Sequence, residues 1–295
     1  MNKLSNKTKG IICILISALC FSGMSSFINL SGDVPIVQKV FFRNLVAFFC
    51  AFFVLIKNHE SFKPAKGCLP FHLIRSTAGL VGVFGNFYAT THMSHTADAA
   101  ILNKMSPFFT LLFSAVFLKE KVKPKQAAAI FVAFAGAMFV IKPTLSNVEL
   151  LPSVAGFAGG VCAGAAYTCV RHMGNKGENG RVTVFLFSAF SLLVTAPYLI
   201  FNYHPMTKMQ LVYLLLVGVC AAGGQFAITA AYTFAPSREI SVYDYSNIVF
   251  TAIEGYLFLG HQIPDLWSIF GYAVICAMAV WMFFYNNREK GLKNN

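Results

Sequence analysis

The chain has 295 residues, 57% of them hydrophobic and only 12% charged, with a mean hydropathy of +0.63 and a formal net charge of +12. Soluble domains carry about 25% charged residues, so the composition excludes an ordinary soluble globular protein. Apolar runs recur from start to finish with no polar stretch between them, which leaves no room for a separate aqueous domain.

At the N-terminus, Lys3, Lys7 and Lys9 precede an apolar run that superficially resembles a secretory signal. The run is too long and lacks a small-residue cleavage site, which predicts an uncleaved first helix. A helix needs roughly 20 apolar residues to cross the hydrocarbon core. On that scale the sequence predicts crossings near 10–30, 35–56, 70–92, 97–118, 124–141, 151–170, 182–203, 209–233, 240–260 and 266–285. A β-barrel would instead alternate over segments of roughly ten residues. The expected fold class is therefore an all-α integral membrane protein with ten transmembrane helices. Seven of the eight cysteines fall inside these crossings and only Cys68 in a loop, with no metal-type spacing. They read as small apolar packing residues.

The basic residues are distributed unevenly. The loops on the N-terminal side hold 17 of the 23 Lys and Arg, while the opposite loops hold only Lys142 and Lys208. This is the positive-inside pattern. It predicts both termini in the cytoplasm and a multi-pass protein of the plasma (inner) membrane. The basic excess is thus topology, and no nucleic-acid partner is expected.

The chain also repeats itself. Residues 99–141 lie on 239–281 at a constant offset, pairing Ser106 with Ser246, Pro124 with Pro264, Ala133 with Ala273 and Ala137 with Ala277. Earlier crossings match as well: Gly79 on Gly218, Gly85 on Gly224, Asn86 on Gln225 and Thr90 on Thr229, then Gly10 on Gly156 and Phe21 on Tyr167. The reading divides the chain into residues 1–144 and 145–295. Five crossings per half is an odd number, so the halves run oppositely through the membrane. Inverted repeats of this kind recur in secondary transporters, whose substrate site lies near the midplane between the halves.

The residues Asn86-Phe87-Tyr88-Ala89, Ala97-Asp98-Ala99, Ser106-Pro107 and Leu118-Lys119-Glu120-Lys121-Val122 resemble the drug/metabolite transporter superfamily, in its EamA-type branch. The second half agrees through Gln225, Ala231-Tyr232, Ala235-Pro236, Tyr245, Pro264 and Gly271. The resemblance covers nearly the whole chain and implies two inverted five-helix repeats. It further implies a central cavity lined mainly by helices 1, 3, 4, 6, 8 and 9, and carriage of small solutes, often outward. One departure is His261, which stands where the second half commonly carries a glutamate.

Charged groups within crossings are costly, roughly 2.5–3.5 kcal/mol at the helix centre, and face the interior or water. Lys39 and Arg43 share one face of helix 2, and Arg43 and Lys104 fall near the midplane. They either recognise an anionic group, a carboxylate or phosphate, or pair with acids such as Asp98 or Glu254; Lys39 also reaches the headgroups. Arg75 lies closer to the basic edge, which favours a structural role. Glu254 is the deepest carboxylate and either carries a coupling proton or serves as a fixed partner. Asp244 occupies the repeat position of Lys104, on the opposite half of the membrane by inversion, where it suits a gate. Polar stripes run along helix 9 (Tyr243, Asn247, Glu254), helix 4 (Asn103, Pro107, Ser114), helix 3 (Asn86, Thr90) and helix 8 (Gln225, Thr229). They line a cavity or bond to neighbouring helices. Tyr88, Phe21 and Tyr167 are placed to stack on a planar substrate or to pack.

The expected substrate-binding set is Phe21, Arg43, Asn86, Tyr88, Asn103, Lys104, Tyr167, Gln225, Tyr243 and Asn247, with Asp244 and Glu254 for coupling or gating. Gly156, Gly160 and Gly164 form consecutive GxxxG steps, suited to packing within the bundle or at a homodimer interface. A small-molecule substrate and membrane lipid are the expected partners, with no cofactor and no metal. His92 and His95 sit close together with Asp98 nearby; they either bind a metal or form a wet loop pair, and the second reading is favoured. A membrane-embedded enzyme is the first alternative, but no HExxH or GxSxG pattern occurs. A channel-like or structural bundle is the second. The favoured expectation is a carrier of a small metabolite, amino-acid-like or anionic.

Overall fold

The computed structural model describes residues 6–117, 124–142, 149–234, 241–260 and 263–291. The motif Leu118–Val122, the pair Ala235–Pro236 and His261 lie outside the described residues, as do the side chains of Thr229 and Tyr232. Every regular element among the described residues is helical. In chain order these are α1 (Asn6–Leu30), α2 (Ile36–Lys57), α3 (Leu69–His92), α4 (Thr96–Asn103), α5 (Ser106–Phe117) and α6 (Pro124–Ile141). Then follow α7 (Leu150–Asn175), α8 (Gly180–Phe201), α9 (Lys208–Phe234), a 3₁₀ turn (Ser241–Tyr245), α10 (Ser246–Phe258) and α11 (Leu266–Gly291).

Eight stretches of the described chain are long and apolar enough to cross a membrane, α4 and α5 counting together as Thr96–Phe117. The outer surface is what lipid requires: Phe201 is 84% exposed, Leu266 83% and Phe131 77%. Meanwhile Ser22, Asn44, Ser114, Ser188 and Thr251 are fully buried. Apolar side chains outside and polar ones inside would be ruinous in water and are ordinary in a bilayer, where only protein or a wet cavity satisfies polar groups. The chain is a multi-pass membrane protein.

Two predicted crossings are interrupted. The stretch expected as 97–118 breaks at Lys104 and Met105, where α4 ends and α5 begins. Pro107, the second residue of α5, lacks an N–H and is tolerated only in a first turn, so it starts a new helix rather than continuing the old one. The stretch expected as 240–260 begins instead as the 3₁₀ turn before α10.

The helices pack in pairs: α3 on α7, α1 on α9, α2 on α8 and α6 on α11, with α10 also against α1 and α5 against α7. Glycines set the closest approaches. A Cβ on Gly85 of α3 would meet the Ala155 carbonyl of α7 at 2.4 Å. The expected GxxxG stripe is used within the bundle. Added Cβ atoms on Gly160 and Gly164 would meet the Leu102 carbonyl at 2.7 Å and the Phe109 Cβ at 2.6 Å, so α7 seats the broken α4–α5 crossing directly on its backbone. All eight cysteines are free.

Candidate functional site

Helices α1, α2, α3, α4, α7, α8, α9 and α10 surround a central cavity of about 180 Å³. Its wall includes Phe21, Arg43, Asn86, Asn103, Lys104, Tyr167, Gln225, Asp244 and Asn247, nearly all of the site residues expected from sequence. Three expected residues stand elsewhere. Tyr88 stacks on His92, with ring centroids 4.2 Å apart. Tyr243 is 40% exposed and does not line the cavity. Glu254 accepts a hydrogen bond from Ser26 Oγ at 2.6 Å, which ties α10 to α1 outside the cavity wall.

The charged groups sort into three situations. Lys104, at the break between α4 and α5, donates to Asp244 Oδ2 at 2.5 Å, and the Tyr245 hydroxyl donates to the Lys104 carbonyl at 3.2 Å. Sequence inversion put Lys104 and Asp244 on opposite halves of the membrane. The two breaks overturn this, because each places its residue at the interior end of a shortened helix, within reach of the other. Neither Asp98 nor Glu254 pairs with Lys104. Asp98 instead accepts from the Tyr272 hydroxyl at 2.6 Å and lies 3.6 Å from His95.

Lys39 is fully buried and is not in the cavity wall. Its ammonium donates to the carbonyls of Ile28 at 3.0 Å and Gly32 at 2.9 Å, and to Thr91 Oγ1 at 3.4 Å. The last carbonyls of a helix have no partner within it, and a cation there also suits the helix dipole. Lys39 is thus a cap for α1. Arg43, one turn further on, does reach the cavity, and its Nη1 donates to Asn44 Oδ1 at 2.9 Å.

Polar contacts join the loops at both ends of the bundle. At the end carrying the basic loops, Glu178 accepts from His72 at 2.9 Å and from the Ala65 N–H at 2.9 Å, while Arg181 pairs with Glu60. Burial raises the Glu178 pKa, but the bonds from His72, Ala65 and Asn179 outweigh it and hold the carboxyl below its usual range. At the other end, Lys142 pairs with Asp265 at 2.8 Å, and Ser94 donates to Glu149. The Lys142 and Ser268 bonds overcome the effect of burial and bring Asp265 down to about 2. Beside Asp98, His95 is raised above its ordinary value, chiefly by that carboxylate and against a smaller effect of burial. Among the described residues no group of His, Cys, Asp and Glu is arranged to hold a metal ion.

Residues 8–142 match the EamA-like transporter family. The chain carries an EamA-like transporter domain. Over 273 residues it is 29% identical to the pseudopaline exporter CntI of Pseudomonas aeruginosa, covering 92% of this chain and 94% of that one. It is 25% identical to human solute carrier family 35 member G1, over 92% of this chain and 77% of that protein. A solved crystal structure superposes with a TM-score of 0.65 at 15% identity, covering 94% of this chain and 98% of that one, a likeness of fold alone. The relatives that match over most of this chain are thus named as an exporter and a solute carrier.

The cavity differs from the expected lining in its contributing helices and in one arginine. Helices α2 and α8 also contribute, through Arg43 and Ala47 and through Val184, Phe187 and Ser188. Arg75 lines the cavity too. Sequence reasoning set it aside by counting its depth from the membrane edge. The available signal was its helical spacing of i+4 and i+7 to Gly79 and Gly82, which places all three on the face of α3 that lines the cavity.

Proposed function

We propose that this chain is a secondary transporter that moves a small metabolite by alternating access, built from ten crossings as two inverted five-helix repeats, residues 1–144 and 145–295. The observation that carries the reading is that positions related by the repeat line one shared cavity: Phe21 with Tyr167, Asn86 with Gln225, and Lys104 with Asp244. Residues from equivalent positions meet only near the axis relating two halves, and Lys104 and Asp244 touch.

The helix pairing supports the same reading. Exchanging the halves turns the α3–α7 contact into the α9–α1 contact and the α5–α7 contact into the α10–α1 contact, while α2–α8 and α6–α11 map onto themselves. A bundle with this property has two arrangements of similar packing, which is what alternating access requires. Charge sidedness supports a plasma (inner) membrane location with both termini cytoplasmic. The name of the P. aeruginosa relative supports outward movement. In this reading Phe21, Asn86, Asn103, Tyr167, Gln225 and Asn247 contact the solute, Arg43 holds an anionic part of it, and Asp244 gates by releasing Lys104.

The test is uptake into proteoliposomes containing the purified protein, loaded with or without unlabelled solute. A carrier gives saturable flux and counterflow against a preloaded solute pool. Flux proportional to concentration without counterflow would overturn the reading in favour of a channel.

A further inference from the structure

Among the described residues, two cations in the cavity have no counter-ion. Arg75 Nε and Nη1 are buried and meet no acceptor, and Arg43 Nε is in the same state. Both guanidinium groups lie over a single ring, Phe187, with Cζ 3.9 Å from its centroid for Arg75 and 5.7 Å for Arg43. Among the described residues no carboxylate pairs with either arginine. The acids facing the bundle interior are engaged elsewhere: Asp244 by Lys104, Glu254 by Ser26, Asp98 by Tyr272, and Glu178 by His72.

A lysine in such a place escapes by losing its proton, but a guanidinium stays charged. Two like charges in a water-poor interior with no acid beside them are costly. The quadrupole of one phenyl ring attracts a cation without neutralising it. Lys104, by contrast, already has its carboxylate, so the excess positive charge of the cavity is concentrated on the arginine pair.

We propose that Arg43 and Arg75 together bind a compact dianion, an oxyanion group or pair of groups bearing two negative charges, as in a small dicarboxylate or a phosphate monoester. This rests on the reading of the cavity as the solute path and names the class of solute. The guanidinium fork matches carboxylate and phosphate oxygens, and Phe187 lies against both forks. The neutral polar groups of Asn86 and Tyr167 line the same cavity and suit the uncharged remainder of the solute. An apolar cavity of about 150 Å³ holds benzene, so about 180 Å³ suits a solute of that order.

The test uses the purified full-length protein in detergent at constant ionic strength, with thermal denaturation read against succinate, inorganic phosphate and uncharged succinamide. The expected result is stabilisation by at least one dianion and none by succinamide. Preference between succinate and phosphate tells the two sources apart. Arg75→Gln and Arg43→Gln each weaken the half-maximal concentration at least tenfold, Arg75→Lys weakens it less, and Lys208→Gln, an exposed cation at the start of α9, leaves it unchanged. Because the empty site carries uncompensated charge, Arg75→Met without anion denatures at a temperature equal to or above wild type. Stabilisation that survives in both glutamine variants, or no response to either dianion, overturns the proposal. Labelled-succinate and labelled-phosphate counterflow in proteoliposomes separates this from the broader reading. Dianion binding without counterflow overturns the carrier and leaves the site. Counterflow of a neutral or cationic solute without dianion binding overturns the site and leaves the carrier.

Discussion

Breaking the Lys104–Asp244 pair gives a sharp test of how the two interrupted crossings are held together. The side chains are 13% and 19% exposed and their charged atoms are 2.5 Å apart. Removing one partner of a buried pair strands the other and costs about 3–5 kcal/mol, and the residual exposure here favours the lower end, about 3 kcal/mol. Each kcal/mol moves the denaturation midpoint of a large domain by roughly 2–4 °C, so Lys104→Met and Asp244→Asn should each lower it by about 6–12 °C. The double variant removes both charges and should recover most of that loss, since well-packed neutral groups replace a buried pair at little cost. The assay is thermal denaturation of wild type, both single variants and the double variant in one detergent. Single variants within 1 °C of wild type, or a double variant as unstable as the two losses added together, would refute the pairing.

Other consequences follow from packing and titration. Gly85→Ala places a methyl group 2.4 Å from the Ala155 carbonyl and should destabilise by about 1–3 kcal/mol. Gly174→Ala, where a methyl group meets nothing within 4 Å, should be neutral or mildly stabilising, and chemical or thermal denaturation compares them. Lys39→Met takes the ammonium donor from the Gly32 carbonyl and leaves the Ile28 carbonyl with the Ser31 hydroxyl alone, and should cost about 1–3 kcal/mol, read in the same assay. His95 has a raised pKa, so its pairing with Asp98 contributes fully below the ordinary histidine value and is lost as pH rises through the raised one. Stability should therefore fall from about pH 6.5 upward, and His95→Gln should flatten that part of the profile.

Hydropathy alone located the eight stretches that are long and apolar enough to cross. The sixth helix spans Pro124–Ile141 as read from the sequence, and α9 extends only one residue beyond each end of the expected 209–233. Lipid imposes a length and an apolar surface on every crossing, so that information is local to each segment. The breaks at Lys104 and before α10 were not legible in the same way, because apolar content continues across them. Pro107 was the local clue, and it was read as part of a polar stripe. Residues paired by the repeat were assigned to the cavity, and Phe21 with Tyr167 and Asn86 with Gln225 line it. Partners were not legible. Lys39 and Arg43 share a helix face, yet one caps α1 and the other faces the cavity, a difference set by where the carbonyls of Ile28 and Gly32 fall in space. Arg75 was misjudged because depth along a helix says nothing of which neighbours surround it. Its environment is made by Phe187 on α8, more than a hundred residues away in sequence.

The central claim is that one cavity serves both sides of the membrane in turn, and side-specific labelling tests it without knowledge of the solute. With the eight native cysteines replaced by alanine, a single cysteine is placed at Ala221, which lines the cavity. It is then exposed to a membrane-impermeant maleimide in right-side-out and in inside-out vesicles. The account predicts labelling from both faces, while a control cysteine at the fully buried Ala137 is labelled from neither. Labelling of the Ala221 position from one face alone would contradict it.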